Sequence, residues 1–414
     1  MRRLLGPAVL LALAACGGCD EVPGSAVTDC QAVGIASART DILFVVDDSG
    51  SMGEEQASLA TSFAAFVQEL AALPSRSDFQ IGVTTTSIDE PVSAVNLQDT
   101  FRRGGPNNGR PYPKGALVAV NDAGLYVPEP RILRGDSATL VQDFQRNVKV
   151  GTFGGGKEQG LRAALLAVTD RIADGQNAEF LRSGTRLVVI VVSDEDDCSD
   201  PFGAGAPQIL GDQAQCHDTA RKNLAGTVPT PAGQLPATSL YLDALQNTPL
   251  AGELRPVLAA TVVGVDTAGN PTCGDTTNNP NCIAGSGCAT ALDRGDRYKQ
   301  FEVAFAPGGF LDSVCRADFS ATLRQIATLI GQEVPLAQEP ADWRLLTLSV
   351  AKPGGGTTIP CALGLAGAGG TPDVLYTPLT ATRPATLTFG GAGVSGACAL
   401  QAGDRIDLKI LCAG

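Results

Sequence analysis

Two hydrophobic rhythms alternate along the first three quarters of this chain. Continuous apolar, β-branched runs stand at 41-DILFVVD-47, 78-DFQIGVTTT-86, 186-RLVVIVVSD-194 and 256-PVLAATVVGV-265. Between them lie stretches with helical spacing. In 54-EEQASLATSFAAFVQELAAL-73, Leu59, Phe63, Phe66, Val67 and Leu70 recur on one face. Further helices are predicted over 137-SATLVQDFQRNV-148, with Ser137 as N-cap, over 157–172, near 238–247 and over 317–333. Strands apolar on both faces, separated by helices, predict an open α/β fold with a mostly parallel central sheet flanked by helices. After Pro335 the rhythm changes. Runs such as 343-WRLLTLSV-350, 385-ATLTFG-390 and 405-RIDLKILC-412 are short, β-rich and separated by Gly/Pro turns, predicting a small all-β C-terminal domain over 335–414.

The first residues read differently. MRRLLGPAVLLALAAC places two arginines before an apolar run of signal-peptide length. Leu13-Ala14-Ala15-Cys16 resembles the bacterial lipoprotein cleavage box, which implies a signal peptide over 1–15, lipidation of Cys16 and a tether over 16–38. The expected location is the bacterial cell envelope, at the outer membrane or cell surface, with the membrane touched through the N-terminal lipid only. The formal net charge of −13 makes nucleic acid a poor partner, because phosphate binding needs clustered Lys and Arg. Twelve cysteines fit an oxidising compartment. They sit in loop-like text without paired CxxC spacing, so disulfides are favoured over zinc. The disulfide candidates are Cys198, Cys216, Cys273, Cys282, Cys288, Cys315, Cys398 and Cys412, with Cys198–Cys216 and Cys398–Cys412 as expected pairs.

The chemistry concentrates where the first run ends, at 47-DDSGS-51. An aspartic-protease loop would look similar, but that chemistry needs two such carboxylates and the motif occurs once. A subtilisin-type triad would need a histidine base and a serine nucleophile in suitable surroundings, and the one histidine, His217, lies in CHDTA. The segment 151-GTFGGGKE-158 fits GxxxxGK but carries Glu158 where a phosphate-binding loop needs a hydroxyl for magnesium. Catalysis is therefore not expected. Side chains two apart in extended chain point the same way, so Asp47, Ser49 and Ser51 can line one wall of a small site. Their hard oxygens suit magnesium first, with manganese or calcium as alternatives. The competing use of Ser49 or Ser51 is to cap the helix that follows.

Taken with two later residues, the motif resembles the von Willebrand factor type A (vWA) domain and its metal-ion-dependent adhesion site. That family's pattern is an apolar strand followed by DxSxS, a threonine in a later loop, and an aspartate ending a later central strand. Asp47, Ser49 and Ser51 match the first element and Asp194 the last. Thr152 is the one hydroxyl residue between Val148 and Gln159, which makes it the match to the middle one. The resemblance covers roughly residues 39–334 and departs from the pattern at Asp48, at the glycine-expanded threonine loop and at Glu195. Asp196 and Asp197 are expected to solvate their loop.

What the resemblance implies is metal-dependent adhesion: a divalent cation at Asp47, Ser49, Ser51, Thr152 and Asp194 that takes an Asp or Glu carboxylate from an extracellular or envelope protein. It also implies that site occupancy shifts the last helix, here 318–332, which the nearby Cys315 would restrain if disulfide-bonded. A structural envelope lipoprotein whose metal site only stabilises the fold is the competing expectation.

Overall fold

The computed structural model describes residues 38–73, 77–91, 98–99, 101–201, 217–277, 279–305, 309–353, 357–380, 385–391 and 393–410. Cys16, Cys216, Cys412 and the signal and tether segments lie outside these residues. The central sheet comprises β1 (Ala38–Val46), β2 (Ser77–Thr85), β3 (Ile132–Arg134), β4 (Arg186–Val192), β5 (Val257–Val263) and β6 (Gly309–Ser313). Its order is β6-β5-β4-β1-β2-β3, parallel throughout except for the antiparallel edge strand β3.

The period-two geometry of β1 explains why its run is apolar without interruption. Ile42, Phe44 and Val46 face one core layer, which they share with Leu59, Phe63 and Phe66 of α1 (Gly53–Ala72), Phe144 of α2 (Leu140–Asn147) and Leu323 and Ile326 of α6 (Ser320–Gly331). Leu43 and Val45 face the opposite layer, with Leu161 and Leu165 of α3 (Gly160–Val168), Tyr241 of α4 (Thr238–Asn247) and Phe301 of α5 (Asp296–Ala304). Each such side chain, fully removed from water, stabilises the fold by about 1.5–3 kcal/mol. A polar residue at Phe44 would face a layer of aromatic rings, among them Phe144 at 4.9 Å between centroids.

Helix α2 starts at Leu140 rather than near Ser137. Ser137 instead accepts from the Thr139 N–H at 3.3 Å in a turn before the helix. Beyond α6 the strands are β7 (Glu333–Pro335), β8 (Leu346–Ala351), β9 (Thr358–Cys361), β10 (Leu363–Leu365), β11 (Val374–Thr377), β12 (Thr386–Thr388) and β13 (Arg405–Ile410). They form a four-stranded sheet, β7-β12-β11-β10, and a three-stranded sheet, β9-β8-β13, around their own apolar cluster.

The disulfides resolve some of the cysteine expectations. Cys273 pairs with Cys282 and Cys288 with Cys315, the second bond tying the loop after β5 to the segment just ahead of α6. Cys198 is also disulfide-bonded. The expected Cys398–Cys412 pair is overturned, because Cys398 bonds Cys361, with 6.1 Å between Cα atoms. Both sulfurs belong to the C-terminal core, reached from strand β9 and from a loop 37 residues later, a proximity set by sheet order rather than chain spacing.

Candidate metal centre at the carboxyl edge of the sheet

In the parallel register Val46 lies opposite Val192, and the Asp47 N–H donates to the Val192 carbonyl at 2.9 Å. Strands β1 and β4 thus leave the sheet at the same level, delivering Asp47 and Asp194 to one edge, the place where open α/β sheets gather ligands. Asp47 accepts from the Ser49 N–H at 2.7 Å on one oxygen and from the Ser193 hydroxyl at 2.5 Å on the other. Ser49 and Ser51 meet hydroxyl to hydroxyl at 3.2 Å. Neither caps α1: its N-cap position is Met52, with no side-chain cap bond.

The threonine loop folds onto the same edge. From the first turn of α1, Gln56 donates through Nε2 to the carbonyls of Asp47 and Gly151, each at 2.9 Å. The Gly154 N–H donates to the Asp48 carbonyl at 2.7 Å. Thr152 Cγ2 lies 3.8 Å from where a Cβ on Gly53 would stand, so its side chain sits against the start of α1. Asp47, Ser49, Ser51, Thr152 and Asp194 are therefore carried by three loops that contact one another.

The electrostatics single out Asp194. It is fully buried, and neither carboxylate oxygen has an ion pair or a hydrogen bond of ordinary geometry. Burial, then the charges of Asp47 and Glu195, push its pKa well above the ordinary carboxylate value, against a lowering by the Ser51 hydroxyl. Asp47 is raised to about 7, first by burial and then by Glu195. Glu158 is raised well above its usual value by burial, Glu195 and Asp47. Among the described residues no Lys or Arg ion-pairs with Asp47, Asp194 or Glu158. Carboxyls buried together without a cation disfavour ionisation strongly.

This donor set fits a hard divalent cation: buried carboxylates with no Lys or Arg paired to them, two adjacent hydroxyls, and charges that repel one another until a positive ion neutralises them. No group of three or more Asp, Glu, His or Cys among the described residues is arranged as a metal cage.

Several participants escape sequence reasoning. Glu158 reads only as a residue that breaks the phosphate-loop pattern, yet it is 1% exposed beside Asp47 and Glu195. Glu55 looks like an ordinary acid in the first turn of α1, but it is buried, one oxygen has no partner and its charge reaches Asp194. Asp48 is buried and ion-paired with Arg102. The expectation that Asp196 and Asp197 solvate their loop is overturned. Both are buried, Asp196 paired with Lys222 at 2.9 Å and Asp197 with Arg297 at 2.9 Å, because α5 carries Arg297, and the turn Thr219–Arg221 brings Lys222, against the loop.

No family model matches this chain, and no curated protein matches it closely enough to be counted a relative. Solved structures do align with it. A von Willebrand factor type A protein from Catenulispora acidiphila aligns over 92% of this chain and 59% of its own length, at 13% identity and TM-score 0.33. The pilus adhesin SpaC from Lactobacillus rhamnosus GG, in its open conformation, aligns over 91% of this chain and 39% of its own, at 13% identity and TM-score 0.37. The human COPII-coat protein Sec24c aligns over 91% and 39%, at 9% identity and TM-score 0.34. This chain thus spans less than two thirds of each of these neighbours. Similarity at this level, shared by an adhesin and a vesicle-coat protein, assigns neither site nor partner.

Proposed function

We propose that this chain is a metal-dependent protein-binding module of the bacterial envelope, which grips an acidic group of its partner through a divalent cation at the carboxyl edge of the sheet. The observation that carries the reading is Asp194, a buried carboxylate with neither an ion pair nor a hydrogen bond of ordinary geometry, near Ser51 and Asp47. The hydroxyls of Ser49, Ser51 and Thr152 and the carboxylates of Asp47 and Asp194 would hold the ion. Bound there, the cation supplies an exposed positive centre for a carboxylate, magnesium being the first candidate. Asp47, whose oxygens accept from the Ser49 N–H and the Ser193 hydroxyl, fixes the loop. Lipidation at Cys16 would tether the module, and no described helix is long and apolar enough to cross a membrane.

Calorimetric titration of magnesium or manganese into chelator-stripped protein tests the reading. Saturable uptake of one ion, lost in Asp194→Asn, is expected. A chain that takes up no ion ends the proposal, and one whose ion raises Tm without enabling carboxylate binding has a purely structural site.

A further inference from the structure

Between Val150 and Lys157 the loop reads GTFGGG, so only Thr152 and Phe153 project side chains. Phe153 is 46% exposed, immediately after the hydroxyl assigned to the cation. Its ring is not loose. It rests on Gly104 and Gly105, where any Cβ would collide with ring carbons, and both glycines adopt positive φ, +121° and +61°.

This platform is itself anchored. Arg102, 2% exposed, ion-pairs with Asp48, donates to the Tyr126 hydroxyl and stacks 4.8 Å from the Tyr126 ring centroid. Tyr126 in turn donates to the Val150 carbonyl at 3.0 Å, just ahead of the threonine loop. On the far side, the Ser87 hydroxyl donates to Asp48 at 2.8 Å and accepts from the Gly155 N–H at 2.8 Å. The loop is thereby held before and after Phe153, and nearly half of the Phe153 surface is left to solvent next to Thr152 in the chain. Such a ring binds with little ordering cost, the property that makes aromatics effective anchors. A net charge of −13 opposes the approach of an acidic partner, so apolar contact has to add to the affinity.

We infer that Phe153 is a specificity-determining contact, and that the partner presents its carboxylate on a segment carrying an aliphatic or aromatic side chain next to the acid. The inference rests on the cation reading above. The probes are two hexapeptides, each with a single glutamate, flanked either by leucines or by serines, titrated by NMR into the magnesium-loaded full chain. The leucine-flanked peptide should bind roughly fivefold more tightly, the scale of a modest apolar contact. Phe153→Ala should abolish that difference while leaving magnesium uptake and serine-peptide affinity unchanged, and Phe153→Leu should restore part of it. Equal binding of both peptides by the unaltered chain, or a leucine preference that survives Phe153→Ala, overturns the inference while the cation reading stands. Magnesium uptake with binding of neither peptide overturns the inference and leaves the cation a purely structural role. Absence of magnesium uptake removes both.

Discussion

Asp194 and Asp197 are three residues apart, equally buried, and treated in opposite ways. Asp197 receives the Arg297 guanidinium at 2.9 Å, the Leu161 N–H at 3.0 Å and the Ser199 hydroxyl at 2.5 Å. Its neighbour Asp196 has Lys222 at 2.9 Å and the Arg297 N–H at 3.0 Å. Asp194 has none of these at its carboxylate, although its backbone carbonyl accepts from the Leu292 and Asp293 N–H groups at 2.8 and 3.1 Å. Leaving a buried carboxylate ionised and unpaired costs several kcal/mol, and on the reading proposed above a bound cation offsets that cost. The fold can bury charge safely, as Asp196 and Asp197 demonstrate, and at Asp194 it does not.

The comparison can be broken most directly at the neutralised pair. Lys222→Met would leave Asp196 and Asp293 facing each other with no cation in contact, and should lower stability by about 3–5 kcal/mol, read from urea unfolding with an unchanged m-value. The unneutralised side should show itself in pH. Asp47, raised to about 7, binds more protons folded than unfolded between roughly pH 4 and 7. Metal-free stability should therefore fall as pH climbs through that window, by up to roughly 4 kcal/mol from this group, and level off above it. Saturating magnesium should flatten the decline; equal slopes with and without the ion would separate the acids from the cation.

Next in size, Asp194→Asn should weaken magnesium binding by more than the roughly 10- to 100-fold that loss of an outer-shell partner costs. Metal-free stability should hold or rise, since a repelling charge disappears; a large drop in urea midpoint would mean that Asp194 is structural after all. The smallest effect is expected at Ser49→Ala, about a tenfold loss of magnesium affinity in the same titration, with Tm of the metal-free chain little altered because Ser49 caps no helix.

What could be read from the chain follows the range of the interactions. The apolar run Ile42–Val46 has to be a strand buried on both faces, and Asp47, Ser49 and Ser51 follow it directly, so their neighbourhood is local text. Thr152 is singled out in the sequence as the lone hydroxyl of a loop that the structure sets against the start of α1. Glu158, Glu55 and the Asp48–Arg102 pair were not, since their roles come from side chains meeting across loops whose lengths carry no periodic signal. Asp196 and Asp197 misled for the same reason: acidic loop text looks solvated until Lys222 and Arg297 arrive from elsewhere. The Cys361–Cys398 bond likewise depends on strand order within the C-terminal sheets.

Gln56 gives the edge a mechanical character. One amide holds the Asp47 carbonyl, the Gly151 carbonyl and, through Oε1 at 3.3 Å, the Gly151 N–H. Because that side chain is rooted in α1, an axial slip of the helix would tug on both loops at once. Displacement of either loop would be transmitted to the other through a single pin, so the two walls would open and close as one body.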